Sequence, residues 1–278
     1  MPELPEVELV GRYLRPHLVG RRIARVTVTR PSYFFLTSPA ILRRRLPNAT
    51  FEALERRGKY LVAQLSTHDQ LLLHLGMTGQ LILLVAKKGR QFTPDAHSHL
   101  ILEFDDHGPG LCFRDPRKFG KVKLLSLGET DPRLLKLGAD ALKLSSEVLF
   151  VASRKRRAAI KTMLLDQTVT AGIGNIYADE SLFFARIHPE RPASSLSRDE
   201  CERLAEIVKK VLRRSIRAGG SSIDDYIHPD GSDGRFQAQH RVYGRQGLPC
   251  QQCKSAIERI VIGQRSAHYC PQCQRLHA

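Results

Sequence analysis

Acidic side chains are what this chain is short of. Asp and Glu total 28 against 44 Lys and Arg, a formal net charge of +16. A self-neutralising surface is excluded, and the excess asks for a polyanionic partner, nucleic acid first and an anionic membrane second. Long apolar runs are missing as well. No stretch of 18 apolar residues occurs, so no membrane-spanning helix is predicted. The N-terminus lacks the basic-then-apolar pattern of a secretory leader, and the expectation is a cytoplasmic protein. Cysteine is sparse, 6 in 278 residues, and four of these fall in two Cys-x-x-Cys pairs near the end. In a reducing compartment that spacing points to metal rather than disulfides.

The chemistry that is present begins at Met1-Pro2-Glu3-Leu4-Pro5-Glu6. If Met1 is removed, Pro2 is a secondary α-amine with a reference pKa of about 7.7–8.0, neutral enough to be a nucleophile. The Glu3 carboxylate beside it can move protons. With Met1 in place the Pro2 nitrogen is an amide and attacks nothing. The ordinary alternative is a leader into a helix. Val7, Val10, Leu14 and Leu18 follow helical spacing from Pro5, and Gly20 suits the stop.

From Arg21 to about Leu127 the period is mostly two. Strands are predicted at 23–30, 51–54, 60–65, 71–75, 81–85, 99–104 and 122–125, with a short helix from Ser38-Pro39 to Leu46. Many short strands argue for an antiparallel sandwich or barrel. Three turns stand out: Arg56-Arg57-Gly58-Lys59-Tyr60, His74-Leu75-Gly76-Met77-Thr78-Gly79, and Arg114-Asp115-Pro116-Arg117-Lys118-Phe119-Gly120. Basic turns are commonly solvated faces, and Phe119 could return to the core. The competing reading is that Met77 and Phe119 are apolar tips on basic loops, able to enter a duplex and fill the space of an unstacked base.

After Asp131 the pattern turns helical, with segments at 132–137, 146–152, 158–165, 175–185 and 196–218. Backbone amides between Gly172 and Asn175, at a helix start, could bind a phosphate or merely connect two helices. Residues 221–239 are rich in Gly, Asp and Ser and read as a surface loop, functional or a linker. Cys250, Cys253, Cys270 and Cys273 have the spacing of two knuckles closing a four-thiolate site for one structural zinc. Residues 257–262 and 266–269 would form the hairpin, with Gly263-Gln264-Arg265 at its tip. Cys112 and Cys201 stand alone.

These stretches together resemble the formamidopyrimidine-DNA glycosylase family. The resemblance rests on Met1-Pro-Glu-Leu-Pro-Glu-Val-Glu8, the three turns above, Ala171-Gly-Ile-Gly-Asn-Ile-Tyr-Ala-Asp-Glu180, Gly234-Arg-Phe-Gln237, Val242-Tyr-Gly-Arg245 and the four cysteines, in that order. It implies an α+β multidomain protein. An N-terminal β-sandwich flanked by helices (1–130) is followed by a helix–two-turn–helix domain (131–220). A lesion-recognition loop (221–240) and a zinc-finger hairpin (241–278) complete it, with DNA in a basic cleft. The implied activity is glycosylase and abasic-site lyase on oxidised purines in double-stranded DNA, by a bacterial, monomeric enzyme.

The resemblance also implies roles. Pro2 is the nucleophile at C1′ and Glu3 the acid/base at the sugar. Lys59 serves β-elimination and phosphate binding, and Arg265 holds phosphate and serves δ-elimination. His74 and Asn175 are further phosphate contacts. Met77, Arg117 and Phe119 fill the gap left by the everted base, with Arg117 facing the orphan cytosine. His97, Arg156 and Tyr243 fall where relatives contact DNA. The chain departs from the usual pattern at Leu9, Arg156, Lys254 and Ser221-Ser222. Lys254 replaces a glycine, at a cost of about 1 kcal/mol if that position needs a positive φ. An oxidised-pyrimidine glycosylase and a non-catalytic zinc-ribbon DNA-binding protein remain the alternatives.

Overall fold

Alternating apolar residues between Ile23 and Leu125 build two four-stranded sheets in a computed structural model. It describes residues 2–29, 31–84, 86, 87, 90, 91, 93–154, 156–222 and 233–276. The chain divides into two compact units, Met1–Pro132 with Gly219–Gly234, and Arg133–Ala218 with Arg235–Ala278.

The first unit begins with α1 (Leu4–Leu18), β1 (Ile23–Val28), α2 (Pro39–Arg45), β2 (Phe51–Arg57) and β3 (Tyr60–Leu65). β4 (Gln70–His74), β5 (Gln80–Leu84), the short ribbon β6 (Ala86–Lys87) and β7 (Arg90–Gln91), β8 (Ser98–Phe104), β9 (Gly110–Arg114) and β10 (Lys121–Leu125) follow. One sheet has the order β1-β8-β9-β5 and the other β10-β4-β3-β2, with neighbouring strands antiparallel throughout. Leu81, Leu83, Leu102 and Phe113 of one sheet share a continuous buried core with Leu61, Leu71, Leu73 and Val122 of the other. That shared core is what makes the pair a sandwich. Helix α1 turns Val7, Val10, Leu14 and Leu18 into the same core and packs on β2 and β3. Each such side chain contributes about 1.5–3 kcal/mol, so the helix start that carries Pro2 and Glu3 is anchored by its own apolar stripe.

Strand β9 has no counterpart among the predicted strands. Its first four residues are all buried, so no polar alternation marks it. Ser38 caps α2 as expected, its Oγ accepting from Ile41 N at 3.4 Å.

The second unit contains α3 (Pro132–Leu135, starting at the boundary), β11 (Ala139–Asp140), α4 (Ser146–Arg154), α5 (Ile160–Leu165), β12 (Thr170–Ala171), α6 (Asn175–Ala185) and α7 (Arg198–Arg217). The hairpin β13 (Glu258–Ile262) and β14 (Arg265–Tyr269) ends it. Ser197 and Glu200 close a capping box at the head of α7, at 3.1 and 2.9 Å. Thr170–Ala171, outside every predicted element, pairs in parallel with Ala139–Asp140. Two residues are too few to show a period. Residues 176–183 of α6 are all buried, so this is the central helix of its unit. Cys112 and Cys201 are core residues.

Candidate active site and nucleic-acid interface

Pro2 is buried, and Glu3, only 2% exposed, is the extended N-cap of α1. What fixes them is Glu6. One oxygen of its carboxylate accepts from Glu3 N at 2.9 Å, and the other accepts from Ser221 N at 2.9 Å. Glu6 is itself 1% exposed, where each lost bond leaves a buried donor unsatisfied. The same contact ties down the neck of the 221–240 loop. Across that neck Gly234 N donates to Ser222 Oγ at 2.7 Å. A Cβ on Gly234 would lie 2.3 Å from Gly220 O, so glycine is required for that approach. Residues 223–232 of the expected lesion loop lie outside the described residues.

Lys59 sits in the two-residue turn joining β2 to β3 and is 8% exposed. Gly58 supplies the positive φ of +57°. Arg56 steadies the turn by donating to Gly58 O at 3.1 Å and to Glu8 Oε2 at 2.7 Å. Through Glu8 the turn is joined to α1. Burial pushes its carboxyl up, but Arg56 and Arg12 outweigh that and hold it below the ordinary range. His74 ends β4 and packs its ring against Tyr60 in a tilted contact, ring centres 4.7 Å apart. Its Nδ1 accepts from Gly76 N at 3.1 Å, which assigns the ring proton to Nε2.

Met77 and Phe119 are 39% and 42% exposed. They are loop tips, as the DNA-entering reading requires, and Phe119 does not return to the core. The Arg117 guanidinium lies 4.8 Å from the Phe119 ring centre. His97 lies in the turn before β8, and its carbonyl accepts from Asp115 N at 2.8 Å. The backbone of His97 thus backs the Arg117 loop.

In the second unit, Asn175 opens α6 and its Nδ2 donates to Ser266 Oγ at 3.2 Å. Ser266 follows Arg265 in β14. The expected hairpin tip needs correction: Arg265 is paired with Ile262 as the first residue of the strand, and the turn is Gly263-Gln264 alone. Both turn residues have positive φ, 53° and 64°, the two-residue type that suits a twisted hairpin. Beneath it lies a buried cluster whose pairing the sequence does not show. Lys161 and Asp179, both fully buried, form an ion pair, and Lys161 Nζ also donates to Ser266 O. Asp179 Oδ2 accepts from His268 N at 2.9 Å. The next residue, Glu180, accepts from Arg241, Val242 and Tyr243 N–H groups at 2.9–3.0 Å. Burial pushes the Glu180 carboxyl up against those three bonds. Tyr243 is set between His240 and His268, with ring centres 5.7 and 5.1 Å away. Arg156 is held on Asp166 at 2.7 Å.

The Sγ atoms of Cys250, Cys253, Cys270 and Cys273 all lie within 4.8 Å of one another. They are too far apart for disulfides, with 3.3 Å between Cys253 and Cys270 and 3.9 Å between Cys250 and Cys273. They match the edges of a tetrahedron around one zinc. Burial and the neighbouring thiols push Cys273 up, and burial does the same for Cys270. The Ser255 hydroxyl and backbone bring Cys253 down to about 6. A divalent cation is what would let all four be thiolates in so small a space. Lys254 adopts φ +69°, the conformation its knuckle position was expected to need. Gln274 fastens the finger to its unit, accepting from Cys270 N and donating to Ile187 O, each at 2.9 Å.

Glu6, Asp179 and Glu180 fall inside the quoted motifs and Lys161 outside them, but the sequence gives none of the four a role because their partners are distant along the chain, Ser221 being 215 residues from Glu6. An acid at the head of a helix reads first as an ordinary complement to the helix dipole.

Family models place the arrangement among known proteins. The formamidopyrimidine-DNA glycosylase N-terminal domain matches residues 1–122, the H2TH domain of the same enzymes 137–226, and the zinc finger found in FPG and IleRS 247–276. Formamidopyrimidine-DNA glycosylase of Glaesserella parasuis is 42% identical over 278 residues, 99% of each chain. A Lactococcus lactis FPG mutant solved with Fapy-dG-containing DNA superposes with a TM-score of 0.89 at 35% identity, covering 99% of this chain and 100% of that one. The wild-type Lactococcus protein, solved with oxidised-pyrimidine-containing DNA, gives 0.88 at 34% identity with the same coverage. With a full-length relative and a matched model for the sandwich, the helices and the finger, the chain belongs to the formamidopyrimidine-DNA glycosylase family.

Proposed function

We infer that this protein is a bifunctional DNA glycosylase and abasic-site lyase of base excision repair, acting on oxidised purines such as 8-oxoguanine and formamidopyrimidines. The observation that carries the reading is the held N-terminus: Pro2 and Glu3 are buried at the head of α1 and clamped by Glu6. Once Met1 is removed, the Pro2 nitrogen attacks C1′ of the damaged nucleotide. The base leaves with the electron pair of the glycosidic bond and Pro2 loses its N–H proton; the C1′–O4′ bond then opens, Glu3 giving a proton to O4′, and an iminium is left at C1′. The iminium acidifies C2′–H. Loss of that proton expels the 3′ phosphate, and a second elimination expels the 5′ phosphate. Lys59 and Arg265 hold these phosphates and assist the two eliminations.

A base inside a duplex cannot be reached, so it is everted at a cost of a few kcal/mol. Met77, Arg117 and Phe119 fill the vacated stack, with Arg117 toward the orphan base. His74, His97, Arg156, Asn175 and Tyr243 hold the backbone. Asn175 suits this role because it is the first residue of α6, where the N–H groups and the dipole of a helix start favour an anion. The proposed division is residues 1–130 for chemistry and wedge, 131–220 and 241–278 for backbone grip, and 221–240 for the everted base. The zinc, bound by the four cysteines, supports the hairpin that carries Arg265. No helix of the described residues is long and apolar enough to cross a membrane. We place the enzyme in the bacterial cytoplasm on nucleoid DNA, as a monomer, because one chain carries every residue the mechanism uses.

Preference for oxidised pyrimidines is the second reading, favoured by one observation: a relative has been solved with such a DNA. Borohydride trapping on duplexes bearing 8-oxoguanine opposite cytosine, thymine glycol or an abasic site decides between them. The expected result is a covalent adduct with 8-oxoguanine that disappears in Pro2→Gly. Stronger trapping on thymine glycol moves the protein to the second reading. No adduct with any lesion leaves only a non-catalytic DNA-binding protein.

A further inference from the structure

Asp115 is a fully buried acid of the first unit and has no part in the chemistry above. It is 0% exposed, and its carboxylate takes three donors from two different loops. Oδ1 accepts from Thr78 Oγ1 and from Arg117 N, the latter at 3.3 Å, and Oδ2 accepts from Gly120 N at 2.7 Å. Its carbonyl accepts from Lys118 N at 3.2 Å and bonds His99 Nε2 at 2.9 Å. Thr78, itself 3% exposed, follows Met77 directly. The loops also touch backbone to backbone. A Cβ on Gly76 would lie 2.4 Å from Phe119 C and 2.5 Å from Gly120 N. From outside, Tyr33 donates its hydroxyl to Arg117 O at 2.8 Å. Lys121 Nζ donates to the carbonyls of Phe119 and Gly120 at 3.2 and 3.0 Å. Lys118 takes the strained φ of +58° inside this frame.

We propose that Asp115 and Thr78 are positioning residues that clasp the 74–79 and 114–120 loops into one preformed wedge, so that Met77, Arg117 and Phe119 enter the duplex as a unit. A wedge that is already ordered loses little conformational freedom when it inserts. Two loose tips would have to be ordered at the moment of eversion. The clasp therefore acts on opening the duplex and not on the sugar chemistry. This deepens the glycosylase reading and rests on it.

The test uses the full chain with Met1 removed and two substrates. One is 8-oxoguanine in a duplex, which demands eversion, and the other an abasic site in a single strand, which does not. Thr78→Val keeps the volume and removes the hydroxyl; Thr78→Ser keeps the hydroxyl and loses a methyl. Single-turnover excision from the duplex should fall about tenfold in Thr78→Val and stay within about twofold of wild type in Thr78→Ser, while single-strand cleavage stays within about twofold in both. Asp115→Asn should follow Thr78→Val with a larger loss. A packing role predicts the reverse order, with Ser impaired and Val intact, and that order overturns the proposal. So does an equal loss on both substrates. A second readout needs no activity. The chain has no tryptophan, so Phe119→Trp introduces a sole tryptophan at the tip, excited selectively over the tyrosines. Its anisotropy should report restrained motion, released when Thr78→Val is added; no change on that addition also overturns the clasp. Wild-type protein inert on both substrates sinks the glycosylase reading instead, and the anisotropy then still decides the clasp.

Discussion

At the residue scale the site depends on how one carboxylate spends its two oxygens. Glu6 holds Glu3 N with one and Ser221 N with the other. A glutamine there has a single acceptor and must turn its NH2 toward one of two N–H groups, leaving a buried donor unpaired at about 1–3 kcal/mol. We expect Glu6→Gln to lower the rate of borohydride trapping about 10- to 100-fold, with DNA affinity nearly unchanged. Equal losses in rate and affinity would show that Glu6 acts on the whole fold. Pro2 and Glu3 stand out in the sequence as candidates because the chemistry proposed for them is local: a terminal amine and a carboxylate one residue apart. Glu6 is not, since its second partner is supplied by a segment 215 residues away. Arg265 is legible as a residue but not as the first residue of a strand. The positive φ of Gln264 is what shortens the turn to two residues, and no side-chain pattern announces it.

At the scale of elements, short hairpins do not stand alone in water. β13 and β14 have five residues each and are held from two sides, by the four cysteines and by the buried Lys161–Asp179 pair. The zinc knuckles are plain in the cysteine spacing, whereas the ion pair joins helices and hairpin across long separations and leaves no mark. Removing zinc with a chelator should abolish tight DNA binding, as measured by fluorescence anisotropy, because Arg265 loses its support. Unchanged affinity in metal-free protein would count against that dependence. Helix α6 anchors the neighbouring segment too, and here pH enters. His240 is pushed down to about 4, chiefly by burial, although a hydrogen bond with the Tyr243 backbone opposes the shift. Its folded pKa therefore lies below the unfolded one, so its contribution is complete above about pH 6.5 and is lost as pH falls from 6.5 toward 4. The whole effect is about 3 kcal/mol, of which about 2 is gone by pH 5. Urea midpoints at pH 7 and pH 5 should separate by less in His240→Gln than in wild type. Parallel losses in the two proteins would assign the acid sensitivity elsewhere.

At the scale of the whole molecule, the proposed mechanism divides the work of recognition between the net charge of +16 and the wedge. Phosphate contacts fix position without reading sequence or damage, whereas whatever enters the stack discriminates. The charge is legible from composition alone. The sandwich is legible too, except for β9, whose run of buried residues erases its alternation. For binding, the division has a measurable form. The logarithm of affinity should fall linearly with the logarithm of salt concentration, for damaged and undamaged duplexes alike, since each neutralised phosphate releases a counterion. Neutralising Arg265 or Lys59 should reduce that slope by about 1 and leave the ratio of lesion to undamaged affinity in place. Phe119→Ala should do the opposite, preserving the slope and lowering the ratio, because the ring carries no charge and is 42% exposed at the tip. If Phe119→Ala shifts both affinities equally, eversion is driven by the phosphate grip and not by the wedge. The clasp at Asp115 would then have no wedge to serve, and its positioning role would fall with it.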